Sequence, residues 1–279
     1  MLAALRFFQL SVYNLEIPGV GTLPIDPWAT LVCIGFVVGL ELARARAIRL
    51  GLDVRDIVDG AVFIVLSGFF VAHIFTVLFY FPERMQVGGE FNLVAAVGAI
   101  LRVWQGFAST GGFVGAVLGA IVFYGWIRPR DAWRHADVIT YGFPFGWFLG
   151  RMGCGVVHDH IGAQTTWPIG MDFGVDGVRH ELGLYEAALM LPLCALFWWL
   201  GRKDQASGTF LALFGMAYAP IRFGLDFLRN TDLEHQDARY LGLTPAQFGM
   251  VIMFGAAAVL WIRVRKAPFT PVDLAAPVP

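Results

Sequence analysis

The stretch Gly150-Arg151-Met152-Gly153-Cys154-Gly155-Val156-Val157-His158-Asp159-His160-Ile161-Gly162 decides how this chain is read, because it sets ionisable groups directly behind a long apolar run. Residues 137–149 ahead of it read as a helix at membrane depth, so Arg151 falls about one turn beyond a point where a charge should be absent. An arginine so placed marks a functional site by default. Gly150, Gly153, Gly155 and Gly162 allow backbone or substrate to come close, and His158 and His160, on either side of Asp159, are side chains that titrate near neutral pH.

Composition supports the membrane reading. Of 279 residues 57% are hydrophobic and 15% charged, and the mean hydropathy is +0.65, values that point to a polytopic membrane protein. A net charge of -1 and the lack of any basic run longer than two residues exclude a nucleic-acid-binding class. Cys33, Cys154 and Cys194 are odd in number and lie within apolar segments, so they read as small buried residues and not as a disulfide framework. The first 25 residues lack the basic, apolar and small-residue order of a removable signal peptide, so the spans themselves are expected to direct insertion.

A span needs about 20 mostly apolar residues, and residues 28–43, 57–80, 110–127, 137–157, 184–200, 208–228 and 245–262 qualify. The expected fold is therefore an all-α polytopic membrane protein with seven transmembrane helices. Lysine and arginine placement tests that count, because cytoplasmic flanks are enriched in positive charge. Arg44, Arg46, Arg49 and Arg55 follow the first span; Arg128, Arg130 and Arg134 the third; Arg202 and Lys203 the fifth; Arg263, Arg265 and Lys266 the seventh. These make twelve on one side, against Arg6, Arg84, Arg102, Arg179, Arg229 and Arg239 on the other. The N-terminus is accordingly expected outside and the C-terminus in the cytoplasm.

Residues 1–266 form one membrane domain on this reading. Residues 91–104 suit a short interfacial helix with Trp104 at head-group depth, and the Gly-rich loop 158–183 suits a small subdomain on the outer side, over the site. Residues 231–240 read as a solvated outer loop, and the Pro/Ala-rich residues 267–279 as a disordered tail. No internal repeat is evident, which argues against a transporter of two related halves.

A second anomaly lies in the sixth span, where Tyr218, Arg222, Asp226 and Arg229 recur at intervals of four, four and three and so share one helical stripe. Arg222 and Asp226 suit an internal ion pair. They equally suit a site in which Asp226 orients Arg222 and two guanidinium forks, Arg151 and Arg222, converge on an anion. The abundant anion at that depth is a phospholipid phosphate, which suggests a lipid substrate. Thr110, Gly111 and Gly112, with Gly115 and Gly119, make a small-residue face suited to helix packing or to backbone contact with a head group. Glu186 complements the start of its helix, pairs with an arginine, or belongs to the site. Cys154, His158, Asp159 and His160 have metal-ligand chemistry, but His158 and His160 would face opposite ways on a helix and no separated second ligand pair is apparent. No metal and no cofactor is expected.

With these residues in view, the chain resembles the bacterial prolipoprotein diacylglyceryl transferases over nearly its whole length. Leu78-Phe79-Tyr80-Phe81-Pro82 is similar to the end of the family's second span, and Arg102-Val103-Trp104-Gln105-Gly106 followed by Gly111-Gly112 to its segment leading to a His-Gly-Gly. Gly150-Arg151-Met152-Gly153 and Gly162 resemble the two ends of its signature. Arg179-His180 with Leu184-Tyr185-Glu186, and the stripe Tyr218, Arg222, Asp226 and Arg229, resemble later landmarks. The resemblance implies transfer of diacylglycerol from phosphatidylglycerol to the lipobox cysteine thiol of a preprotein, in the bacterial cytoplasmic (inner) membrane. Arg151 and Arg222 would bind the phosphate. Arg102, Gly111, Gly112, Gly162, His180, Tyr185, Glu186, Tyr218, Asp226 and Arg229 would line the substrates.

The chain also departs from its family. Thr110 stands where the family has the histidine before Gly-Gly, and Cys154, His158, Asp159 and Ile161 replace Asn, Gly, Glu and Trp of the signature. Glu181, Leu182 and Gly183 replace Pro, Ser and Gln. A candidate base is thus lost and a His-Asp-His cluster gained, and the expectation is that His158 or His160, beside Asp159, substitutes for it. The alternatives are the same fold and donor with a different acceptor, or an inactive relative that binds phospholipid or lipoprotein precursors.

Overall fold

Each of the seven apolar runs becomes a helix, and polar caps set where most of them begin. A computed structural model describes residues 5–19, 21–103, 106–233 and 239–266. The long helices are α1 (Pro27–Arg49), α2 (Val54–Phe75), α4 (Ser109–Val122), α5 (Ala132–Val157), α6 (Leu182–Leu200), α7 (Thr209–Leu225) and α8 (Pro245–Lys266), with the short α3 (Leu93–Leu101) between α2 and α4. Single π-type turns extend α2 through Tyr80 and α4 through Ile127. Asp26, Asp53, Asn92 and Asp131 accept backbone N–H groups at the starts of α1, α2, α3 and α5. At α8, Thr244 and Gln247 cap each other: Thr244 N donates to Gln247 Oε1 at 2.9 Å, and Gln247 N to Thr244 Oγ1 at 3.2 Å.

Five of these helices, counting their terminal turns, are long and apolar enough to cross a membrane: Val54–Tyr80, Ser109–Ile127, Leu182–Leu200, Thr209–Leu228 and Pro245–Lys266. The chain is a polytopic membrane protein. α1 and α5 have the length, at 23 and 26 residues, but carry charged residues. In α1, Arg46 is buried and donates from Nη1 to Gly201 O at 3.0 Å; in α5, Asp137 accepts from Leu211 N at 3.0 Å. Those two groups are buried and hydrogen-bonded inside the bundle, which a hydropathy sum does not register.

α1 lies along α5, α2 along α4, α6 along α5, and α8 along α7. The first pairing is in backbone contact. A Cβ placed on Gly142 would lie 2.0 Å from Gly39 O, and one on Gly146 would lie 2.6 Å from Gly35 O, so two facing Gly-x-x-x-Gly pairs bring the helices together. The α2–α4 contact is built similarly: a Cβ on Gly115 would meet Ser67 O at 2.5 Å. The core lies among α5, α6, α7 and α8, where Tyr141, Phe197, Phe210, Phe214 and Tyr218 interlock.

The all-α expectation needs amending, because residues 158–183 carry strands. β6 (Ile161–Gln164), β7 (Met171–Asp172) and β8 (Val178–Glu181) join β1 (Leu5–Arg6) in a four-stranded sheet of order β1-β7-β8-β6. β1 runs parallel to β7 and the other pairs are antiparallel. Two small hairpins, β2 (Tyr13–Ile17) with β3 (Gly21–Ile25) and β4 (Gln86–Val87) with β5 (Glu90–Phe91), complete the strands. Strands of two to five residues bounded by glycine carry no period long enough to read in the sequence. The short helix expected over 91–104 is α3; Trp104 and the tail 267–279 lie outside the described residues.

Candidate functional site

Three helix ends meet at Glu186. α5 brings Trp147 and Arg151, one turn apart; the first turns of α6 bring Glu186; the last turns of α7 bring Tyr218 and Arg222. Glu186 Oε1 accepts from Arg151 Nε at 2.8 Å, Tyr218 Oη at 2.8 Å and Trp147 Nε1 at 3.0 Å, while Oε2 lies 3.9 Å from Arg222 Nη1. Trp147 also lies under the Arg151 guanidinium, at 4.7 Å from ring centroid to Cζ. Arg222 makes the expected internal ion pair: Nη1 meets Asp226 Oδ1 at 2.7 Å, and the same carboxylate oxygen lies 3.3 Å from Arg229 Nε. Asp226 is held in turn by the Thr244 hydroxyl.

The buried network contains the guanidinium groups of Arg151 and Arg222 and the carboxylates of Glu186 and Asp226, with the half-buried Arg229 at its edge. Arg151, Arg222, Glu186 and Asp226 are all buried. The Arg222 Nε–H has no acceptor among the described residues. A buried donor without a partner is costly, and a guanidinium N–H so placed is suited to an anionic acceptor.

Beyond Val157 the chain leaves the helix, so the argument that His158 and His160 point to opposite helix faces does not apply. His158 takes a left-handed conformation (φ 57°, ψ 44°) and its N–H caps Cys154 O. That conformation is costly for a residue with a Cβ. The ring is buried against Phe7, Phe8 and Phe173, its Nε2 bonds Phe8 O, and its Nδ1 faces Glu181 at 3.6 Å. His158 is thus a packing residue under the N-terminal strand and not an open base. Burial raises Glu181, its carboxyl neighbour, to about 8.

His160 is placed differently. Its Nδ1 hydrogen-bonds Asp159 Oδ1, and the ring is partly exposed. Burial holds the imidazole below its ordinary value against the upward pull of Asp159. Donor atoms of Cys154, Asp159 and His160 all lie within 4.8 Å of one another, so the cluster is closer than the spacing suggested. It is poorly suited to a cation: Arg151 Nη1 is 3.8 Å from Cys154 Sγ, and Asp159 is already engaged by His160.

The remaining expected site residues divide. Gly162 sits where the sheet meets the exit of α7, bridging Arg229; a Cβ there would lie 2.5 Å from Leu228 O. His180 and Tyr185 hold the outer loop, with His180 Nδ1 3.3 Å from Tyr185 Oη and Tyr185 Oη donating to Ile169 O at 2.9 Å. Gly111 packs on α2, where a Cβ would lie 2.6 Å from Phe75 Cβ, while Gly112 is less tightly packed and Arg102 is exposed. Apart from Gly162, which reaches the network through Arg229, none of these residues touches the Arg151–Glu186–Arg222 network among the contacts above. Thr110 Oγ1, where the family histidine would be, is buried without a partner among the described residues.

Some participants were missed from sequence. Trp147 lies four residues before Arg151 and was available to an i,i+4 reading. Thr244 and Gln247 carry the spacing of a capping box. Asp232, which accepts both Nη groups of Arg179 at 2.9 and 2.6 Å and so clamps the sheet to the chain beyond α7, gave no local signal.

Helical spans and a buried arginine–carboxylate centre beside a small sheet define a polytopic membrane protein with charge built into its core. The chain belongs to the prolipoprotein diacylglyceryl transferase family, whose pattern matches residues 17–263. It is similar to the phosphatidylglycerol–prolipoprotein diacylglyceryl transferase of Nitratidesulfovibrio vulgaris (strain Miyazaki F), 31% identical over 261 residues, covering 89% of this chain and 92% of that protein. The proteins of that name from Solidesulfovibrio magneticus (32% identical; 89% and 92% covered) and Chromohalobacter salexigens (30%; 89% and 91%) are comparably similar.

Proposed function

We propose that the chain transfers diacylglycerol from phosphatidylglycerol to the lipobox cysteine thiol of a preprotein. The observation that carries this reading is the buried, unpartnered Arg222 Nε–H beside the Arg151–Glu186 pair. A phosphate oxygen accepts that bond, and Arg151 and Arg222 stabilise the charge that develops as the phosphate leaves. Glu186 and Asp226 orient the two guanidinium groups. A free thiol has a pKa of roughly 8.5, so it needs a base. His160, fixed by Asp159, takes the thiol proton; the sulfur attacks the glycerol carbon bearing the phosphate, and the carbon–oxygen bond breaks. The products are a thioether and glycerol phosphate.

Arginine and lysine placement supports seven spans with the N-terminus and the His160 end of the bundle outside and the C-terminus in the cytoplasm, in the bacterial inner membrane. The test is an assay of the full chain in phosphatidylglycerol-containing nanodiscs with a lipobox peptide. The expected result is a peptide heavier by one diacylglyceryl group, lost in Arg222→Gln. Consumption of the lipid without that product indicates a different acceptor; no consumption by folded protein overturns the enzyme reading.

A further inference from the structure

At the far end of the bundle from Glu186, a cavity of about 210 Å³ is lined by Arg49, Tyr141, Trp198, Gly201 and Arg202. Gly201 lies fifteen residues along the chain from Glu186, roughly 22 Å by helix rise, so this is a separate place in the protein.

The cations here are surplus to the needs of the fold. The carbonyls at the end of α6 are already satisfied: Arg46 donates from Nη1 to Gly201 O at 3.0 Å and from Nη2 to Lys203 O at 3.4 Å, and Gln205 Nε2 donates to Leu200 O at 3.0 Å. The end of α1 is closed by its own backbone, with Leu50 N on Arg46 O and Gly51 N on Ile48 O, both at 3.1 Å. The nearby acid, Asp204, is paired with Arg134 at 2.8 Å and approached by Arg46 at 4.0 Å. Among the described residues neither Arg49 nor Arg202 has a carboxylate partner, and both are exposed.

Two free guanidinium groups on different helix ends, at one cavity with aromatic walls, recognise a phosphate by paired N–H donors. Trp198 and the neighbouring Trp199 are 51% and 62% exposed, as side chains at the level of lipid head groups are. We propose that this cavity binds a phosphate ester, and that at this depth the ligand is the head group of an anionic phospholipid in the leaflet opposite the catalytic arginines.

The test uses the full chain in neutral detergent. Native mass spectrometry counts retained lipid, and thermal unfolding is followed with added phosphatidylglycerol, phosphatidylcholine or inorganic phosphate. The expected result is that Arg49→Gln/Arg202→Gln retains one phosphatidylglycerol fewer per chain and loses at least half of the lipid-dependent rise in Tm. Its turnover of lipobox peptide in nanodiscs should stay within twofold of the parent. Arg49→Lys/Arg202→Lys, which keeps the charge, should recover part of the rise. Unchanged lipid count and Tm rise in the Gln variant, or equal stabilisation by phosphatidylcholine, overturns the site. A rise produced by inorganic phosphate with none from lipid overturns the lipid assignment. Lipid counting does not require turnover, so an inactive chain still reports on this cavity.

Discussion

Arg151 Nε and Glu186 Oε1 are 2.8 Å apart, joining the last turns of α5 to the first turns of α6 in a buried ion pair. The same carboxylate also approaches Arg222, so it fixes the spacing of the two guanidinium groups as well as balancing one of them.

Removing that carboxylate should cost stability, because it strands the buried Arg151 and leaves Arg222 with Asp226 alone. Glu186→Ala is expected to cost about 3–5 kcal/mol, read as a fall in Tm and in folded yield. Arg151→Gln or Arg222→Gln should instead lower kcat of the lipobox-peptide reaction by about 10²–10³. Full turnover in both arginine variants would remove them from the phosphate role.

The two histidines should separate by pH. His160→Asn is expected to lower kcat by about 10²–10⁴ and to abolish the acid limb of the pH–rate profile. In the parent that limb falls below the usual histidine range, because burial favours the neutral ring and only the neutral ring accepts a proton. His158→Gly removes a left-handed residue with a Cβ but opens space among Phe7, Phe8 and Phe173. It should shift Tm and leave the profile in place. An unchanged acid limb in His160→Asn would sink the assignment.

Glu181 gives a stability prediction of definite sign. Its folded value is raised to about 8 by burial, while the unfolded carboxyl titrates near the ordinary 4.5. The folded state therefore holds the extra proton between those values, and stability is full below pH 4.5 and falls as the pH rises through about 8. Glu181→Gln, which mimics the protonated form, should flatten Tm against pH over this window. A parallel curve in the variant would show that another group is responsible.

Much of the fold was legible because the seven apolar runs are long and the bilayer allows few ways to satisfy a backbone. Arg151, Arg222 and Asp226 were legible for the same reason, since a charge behind such a run stands out. Glu186 was harder. At the start of an apolar helix it has an ordinary role as a complement to the helix N-terminus, and only the meeting of α5, α6 and α7 reveals it as their common partner. His158 and His160 look alike in sequence; the end of α5 at Val157 turns one under Phe7 and Phe8 and leaves the other beside Asp159. The sheet was hidden because β1 and β7 pair residues 5–6 with 171–172.

Gly142→Ala tests the closest contact in the bundle. Its Cβ would fall 2.0 Å from Gly39 O, which is backbone and cannot swing aside. The variant is expected to accumulate at a small fraction of parental level in membranes, with a Tm lower by several degrees. Gly125→Ala, where a Cβ meets nothing within 4 Å, is the matched control.

The facing glycines of α1 and α5 also bear on how firmly Arg151 is held. Helices that touch backbone to backbone can neither roll nor slide past each other without collision, so the wall formed by α1 and α5 is a fixed anvil. The same closeness recurs on the other side of α5, where a Cβ on Gly183 would lie 2.7 Å from Gly155 N, so the helix that carries Arg151 is clamped between α1 and α6.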